Sequence, residues 1–253
     1  GLVAQTLGLT FPFYAAFAMA LISGALVFPI KDQAVHTRTS PSASPPLEIF
    51  TSLRRNLEAS RSLLVLSFRG FIVGITQGLF VLVLVLYMAF SVAMQPVEVG
   101  FSFTLTGGSM LAFTFLVGHL SDRLGRKPFV ISGGVIIASG VIAFSFARAP
   151  PDVYLVSLLL GFGVALNNAP INALLADCVI PEIRAKVMGG YEVIVGLGRA
   201  LGVMLLGGLY AMSSSAPFYL LGGLMLSTVV LVAMFVSEPI VKERKQPSSA
   251  RQL

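Results

Sequence analysis

Long apolar stretches constrain the fold of this chain more than any other feature of its sequence. A transmembrane helix needs about 20 mostly apolar residues to cross the hydrocarbon core of a bilayer. The stretches do not show the alternation over about ten residues that marks strands of a membrane β-barrel. We therefore predict an all-α, polytopic membrane protein with seven transmembrane helices. The predicted spans are 11–30, 70–93, 99–119, 128–147, 153–176, 187–211 and 216–237.

Composition supports a membrane protein. Hydrophobic residues make up 56% of the chain and charged residues only 11%, whereas soluble domains are about 45–50% apolar and about 25% charged. The one cysteine, Cys178, excludes a disulfide within the chain and a metal site built from cysteines. We expect neither a metal nor a cofactor.

A polar stretch, residues 31–62, separates the first predicted span from the others. It contains TSPSASPP, a composition typical of a flexible linker. Residues 47–58 place apolar side chains at helical spacing beside two arginines, which predicts either a short helix on the membrane surface or an ordinary solvated linker. The predicted organisation is a span in residues 1–30, the linker, a six-span unit over 63–237 and a tail over 238–253.

Lysine and arginine are distributed unevenly between the two ends of the predicted spans. Fourteen lie in the linker, in the breaks near residues 123 and 184 and in the tail, whereas only Arg148 lies in the opposite loops. Because positively charged loops stay in the cytoplasm, we predict a cytoplasmic linker and C-terminus for a multi-pass protein of the cell membrane. The net charge of +6 does not indicate nucleic-acid binding, since no basic face is interleaved with base-stacking aromatic residues.

The first and last predicted spans resemble each other. Pro-Phe-Tyr opens both, at residues 12–14 and 217–219, and a charged stretch follows both. Internal similarity of this kind indicates duplicated units. Its placement predicts two copies of one unit joined by the linker, with most of the first copy absent from this sequence.

The stretch GHLSDRLGRKPF, residues 118–129, places four charges between two apolar runs. It resembles the signature loop of the major facilitator superfamily, which has the form G-x-L-[A/S]-D-R-x-G-R-[K/R]. A second stretch, ADCVIPEIRAKVMG at 176–189, is similar to the loop after the fourth helix of each half in that family. The resemblance covers essentially the whole chain.

The resemblance implies a transporter with twelve helices in two six-helix halves. Residues 1–30 would hold helix six and residues 63–237 helices seven to twelve, so that helices one to five of the same chain would be absent. An alternative register places the signature loop after helix two. The complete protein is expected to be a monomer.

The signature loop is a candidate conformational gate. Gly118 permits close helix approach, Gly125 permits a tight turn with positive φ, and Pro128 suits the start of a helix. The basic side chains of the loop hold it in the cytoplasm. The candidate gate residues are Gly118, Asp122, Arg123, Gly125, Arg126 and Lys127.

Asp122 is the gate residue that needs a partner. A neighbouring helix N-terminus, with its unpaired N–H groups, is the predicted one. The resemblance implies that this carboxylate latches the cytoplasmic side closed. Asp177 and Arg184, in the second similar stretch, are the candidates for a secondary gate.

Polar residues inside the predicted spans are the candidates for substrate and proton binding. A charged side chain inside a membrane is energetically costly, so its presence there indicates a functional role. Arg199 lies near the middle of its span, and Glu192 lies seven residues earlier on the same face, where it could carry a coupling proton. Asn168 and Asn172 share a helix face, and Gln77 is a weaker candidate. Salt bridges, interfacial placement and contacts with neighbouring helices are the structural alternatives for these side chains.

Arg69 is the other arginine near membrane depth. It lies at the cytoplasmic start of its predicted span, where a long side chain can extend to the membrane surface. We therefore predict a surface position for Arg69 rather than a place in the site.

These observations predict a secondary active transporter, with protons as the coupling ion and drug-like or amphipathic compounds as exported substrates. The alternatives are an uptake carrier for sugars or metabolites and a non-transporting membrane sensor. No enzyme is expected, because the chain lacks G-x-x-x-x-G-K-[S/T], H-E-x-x-H and G-x-S-x-G. Both histidines are assigned to loops: His36 to the linker, and His119 to the signature loop, at the very end of the predicted span 99–119. The expected partners are a small molecule, protons and the bilayer, without nucleic acid.

Overall fold

The computed structural model describes residues 11–27, 57–177, 179 and 183–236. This part of the chain contains eight α-helices and no strand, which confirms the all-α prediction. The predicted surface helix at 47–58 lies outside the described residues except for its last two positions. The helices are α1 (Phe11–Val27), α2 (Leu57–Gly78), α3 (Leu84–Leu86), α4 (Pro96–Leu124), α5 (Lys127–Phe144), α6 (Pro150–Asp177), α7 (Arg184–Met212) and α8 (Ala216–Phe235).

Five of these helices, α4 to α8, are long and apolar enough to cross a membrane. Helix α1 has 17 residues, and the apolar part of α2 is the shorter segment Ser62–Gly78. The number of membrane crossings therefore remains a prediction, whereas a multi-pass chain follows from the five long helices.

Helix α2 begins well before the predicted span at 70–93, and helical structure continues after α2 ends at Gly78. A π-helical segment (Leu79–Val83) joins α2 to α3, and a second one (Tyr87–Ser91) follows α3. The early start has a packing cause, since Leu63 and Leu66 are buried while Leu64 between them is exposed. Hydropathy alone does not reveal a helix that is stabilised by one buried face.

The break between this helical stretch and α4 ends in a capped helix N-terminus. The backbone N–H of Gln95 donates to the Glu98 carboxylate at 2.7 Å, and Gln95 and Glu98 form a reciprocal capping box. Pro96 is the first residue of α4, a position where its missing N–H costs nothing. Just before it, Ala93 has a φ of 57°, which costs a non-glycine residue of order 1–3 kcal/mol.

Helices α2 and α4 to α8 form one packed unit. Helix α6 packs against α4 and α5, α8 packs against α5 and α2, and α2 packs most extensively against α7. Helices α6 and α7 touch each other only slightly. The two Pro-Phe-Tyr triplets share one helical register, because Tyr14 and Tyr219 are each the fourth residue of their helix. The described side chains of α1 are all exposed.

Candidate functional site

Glycines bring α2 and α7 into backbone contact. A Cβ placed on Gly198 would lie 2.2 Å from the carbonyl oxygen of Phe71, and one on Gly202 would lie 2.7 Å from that of Ile75. On the opposite side of the contact, a Cβ on Gly74 would lie 2.1 Å from the carbonyl oxygen of Val195. Real Cβ atoms do not approach so closely, so only glycine fits at these positions. Gly198 and Gly202 form a G-x-x-x-G pair, a spacing typical of helices that pack at close range in membranes.

This glycine contact holds the peptide groups of Arg199 against α2. A Cβ on Gly74 would lie 3.0 Å from the Arg199 backbone nitrogen, and one on Gly78 would lie 2.9 Å from the Arg199 carbonyl oxygen. The guanidinium then reaches Gln77, whose Oε1 accepts from Arg199 Nε at 3.0 Å and from Nη2 at 2.5 Å. Two predicted candidates, Arg199 and Gln77, are therefore brought together, at the surface of the six packed helices.

The other predicted candidates for substrate binding lie apart from this pair. Glu192 is exposed on α7, two helical turns and about 10.5 Å along the axis from Arg199. Asn168 and Asn172 are exposed on α6. None of these three side chains is buried among neighbouring helices in the part of the chain that the structure describes.

Arg69 contradicts the prediction that it extends to the membrane surface. Its side chain is only 1% exposed, and Nη2 donates to the Asn167 amide oxygen on α6. Asn167, which is also buried, was missed in favour of its neighbour Asn168. The sequence holds no signal that separates them, because α6 is apolar on all sides and no polar face marks its outside.

The signature loop forms the predicted tight reversal. Helix α4 ends at Leu124, Gly125 has a φ of 98°, and α5 begins at Lys127 with Pro128 in its first turn. These two features confirm the turn chemistry read from Gly125 and Pro128. Helix α4 runs further than predicted, so the exposed His119 lies in a helix and not in a loop.

The predicted close helix approach at Gly118 does not occur in the described part of the chain. No described atom of another helix lies within 4 Å of the position that its Cβ would occupy. Asp122 also has a different partner from the predicted helix N-terminus, because its Oδ1 accepts from Arg126 Nη2 at 3.1 Å. Arg123 is exposed beside it.

Arg126 connects the signature loop to the end of α6. While Nη2 pairs with Asp122, Nη1 pairs with the carboxylate of Asp177, the last residue of α6. The Asp122 and Asp177 side chains are 63% and 45% exposed, so each pair contributes at most about 1 kcal/mol. Arg184, the other predicted residue of the secondary gate, is exposed at the start of α7.

The sequence and the fold are similar to those of known transporters. The sequence model of the Major Facilitator Superfamily matches residues 66–252. The uncharacterized MFS-type transporter YdeG of Bacillus subtilis is 34% identical over 131 residues, which are 51% of this chain and 30% of that protein. The quinolone resistance protein NorA of Staphylococcus aureus is 22% identical over 180 residues, which are 71% of this chain and 46% of NorA.

A solved structure shows the same fold. The crystal structure of a mutant of the peptide transporter POT in complex with sulfate superposes with a TM-score of 0.59 over 68% of this chain and 37% of that one, at 19% identity. The chain spans between about a third and a half of the length of YdeG and NorA. Because the family match extends over most of the sequence, the resemblance read from the signature loop is confirmed, and this multi-pass membrane protein belongs to the major facilitator superfamily.

Proposed function

We propose that this chain is part of a secondary transporter that moves a small molecule across the cell membrane by alternating access, and that it is not an enzyme. Membership of the family supports the transport class. The matches to YdeG and NorA over less than half of their lengths support a chain that is part of a longer transporter. The similarity of the first and last predicted spans supports residues 63–237 as the C-terminal six of twelve helices, with residues 1–30 as helix six. The partner of this unit is then the N-terminal half of the same protein, and the complete transporter works as a monomer.

The pairing of Arg199 with Gln77 is the observation that carries this proposal. Arg199 lies 15 residues after the first residue of α7 and 13 before the last, and therefore near the middle of the bilayer. A guanidinium there is costly unless it faces a cavity or a partner. Its partner in the described residues is a neutral amide, so the positive charge remains available to a substrate. Asn168 and Asn172, exposed on α6 apart from Arg199, are proposed to offer the substrate further polar groups.

We propose export of drug-like or amphipathic compounds, driven by protons. The name of the similar NorA, a quinolone resistance protein, supports export, and the strongly apolar helices support amphipathic substrates. Glu192 is the proposed proton carrier, since it is the carboxylate on the Arg199 face of α7. Positively charged loops support a cytoplasmic linker and C-terminus.

Transport in proteoliposomes tests both the class and the coupling. Glu192→Gln is expected to lower accumulation of a fluorescent amphipathic dye against its gradient at least about tenfold, because one pH unit of proton gradient supplies about 1.4 kcal/mol per proton. Exchange of dye at equal concentrations on both sides should persist, since it needs no net proton movement. Glu98→Gln, which removes a carboxylate near the opposite end of the helices, is the matched control. Proton-driven accumulation that survives in Glu192→Gln would remove this residue from the coupling path.

The second proposed element is the cytoplasmic gate. Arg126 bridges Asp122 and Asp177 and so ties the α4–α5 turn to α6. We propose that this bridge favours the state closed to the cytoplasm, with Arg123, Lys127 and the glycines shaping the loop and Arg184 contributing from α7.

Cysteine labelling tests the gate. Ala169 is half-buried on α6, about 12 Å from the end of that helix. In the full-length protein with Cys178→Ser and Ala169→Cys, Arg126→Gln is expected to speed labelling from the cytoplasmic side about threefold to tenfold, because up to about 1 kcal/mol per ion pair is lost. Lys186→Gln, an exposed basic residue of α7, is the control. Equal labelling rates in the two variants would rule out a latch at Arg126.

A further inference from the structure

Arg69 is the feature of this fold that the proposed site does not use. Its Nε and Nη1 atoms are buried and have no hydrogen-bond acceptor within the described ranges. Its only described partner is the neutral amide of Asn167. A guanidinium stays charged in every protein environment, so both its donors and its charge require compensation.

Three helices enclose this cation. Arg69 comes from α2 and Asn167 from α6, and Tyr191 from α7 lies against the next residue of α2. A Cβ on Gly70 would lie 2.5 Å from Cε2 and 3.0 Å from Cζ of Tyr191, so the glycine leaves the space that the phenol ring fills. Asn167 is 2% and Tyr191 8% exposed, which excludes bulk water from all three side chains.

The described residues place no carboxylate on Arg69. Both described salt bridges involve Arg126, on a different part of the molecule. A buried charge without a counter-charge is strongly unfavourable, which is why removing one partner of a buried ion pair strongly destabilises a protein. Bound water would satisfy the donors but would leave the charge uncompensated. An anion would compensate both the donors and the charge.

The surroundings of Arg69 define the kind of anion. Nε shares one edge of the guanidinium with Nη2, which carries a second hydrogen besides the one that it donates to Asn167. A single carboxylate can therefore accept from this edge with its two oxygens, a geometry in which guanidinium pairs with carboxylates particularly well. Nη1, on the far side of Nη2, is a further donor. The Asn167 amide nitrogen and the Tyr191 hydroxyl add neutral donors. The neighbouring positions on the same helix faces, Leu66, Ile171 and Val195, are buried and apolar, which suits an apolar body on the ligand.

We propose that Arg69, with Asn167 and Tyr191, is a binding site for the carboxylate of an amphipathic organic monoanion. Its place in a transport cycle rests on the proposed function, whereas binding itself does not. The site is closed in this conformation, since Arg69 is 1% exposed. Helices α6 and α7 touch only slightly, and their separation opens the way to the guanidinium.

Equilibrium binding to the full-length protein in detergent tests this site. Benzoate and benzamide are the probes, because they share a ring and differ in charge. At constant ionic strength, benzoate is expected to raise the thermal unfolding midpoint saturably and benzamide to leave it unchanged. Arg69→Met should weaken the apparent affinity for benzoate at least about tenfold, the effect of losing a charge-assisted hydrogen bond. Arg148→Met, which removes an exposed arginine, is the control and should keep the response.

Two results would overturn the proposal. An equal response to benzoate and benzamide means that Arg69 is compensated by water or by a carboxylate of the chain itself. An unchanged benzoate response in Arg69→Met places the anion elsewhere. If Arg69→Met does not fold, Arg69→Lys serves instead, since it keeps the charge but loses the planar fork, and its affinity should also fall. Because no transport is measured, failure here leaves the transport proposal standing.

Discussion

Arg199→Ala is expected to lower the initial rate of transport by the full-length protein about 100-fold, because a lost charge-assisted interaction costs about 1.5–3 kcal/mol. The protein should still fold. Arg199 is exposed, and its described hydrogen bonds go to a single neutral side chain, Gln77. Transport in proteoliposomes and the elution profile in detergent measure the two effects separately.

Two variants locate the effect of Arg199 more sharply. Met204→Ala removes a long, 76% exposed side chain from the same helix without changing charge, and should transport normally. Gln77→Leu leaves the cation but removes the acceptor that orients it, so a smaller loss of about tenfold is expected, equivalent to about 1.4 kcal/mol. Full transport by Arg199→Ala would remove this residue from the site.

The sequence predicts the helices well and the buried polar contacts poorly. Runs of apolar residues reveal where a chain crosses a bilayer because the requirement for about 20 such residues is local. The roles of Gly125 and Pro128 could be predicted for the same reason, because a positive φ and a helix start depend on only one or two residues. The sequence predicts Arg199 and Gln77 as separate candidate residues. It does not predict their hydrogen bonds, because that contact depends on how α2 and α7 pack.

Arg69 shows why the rest could not be predicted. Its position near the start of an apolar run is typical of a side chain that extends to the membrane surface. Its burial depends on the extension of α2 back to Leu57 and on Asn167 and Tyr191, about 100 residues or more away along the chain. In helices that are apolar on every side, periodicity does not distinguish a buried face from a lipid-facing one, so only tertiary packing separates Asn167 from Asn168.

Gly198→Ala is expected to destabilise the protein by about 1–3 kcal/mol or more, the cost of overpacking a well-packed contact. The added methyl group would lie 2.2 Å from a backbone carbonyl oxygen of α2, and a backbone atom cannot rotate away as a side chain can. Helices α2 and α7 must therefore separate. Unfolding of the full-length protein by heat or detergent measures the loss.

Gly196→Ala is the matched control for this prediction, because it changes the same residue type on the same helix where no described atom lies within 4 Å of the new methyl group. Alanine favours a helix over glycine by about 0.8–1.0 kcal/mol, so this variant should be as stable as the parent or more stable. Separation of α2 from α7 also moves Arg199 away from Gln77, whose hydrogen bonds span the same contact. Gly198→Ala should therefore lose transport together with stability, and equal behaviour of the two glycine variants would show that this contact does not position the site.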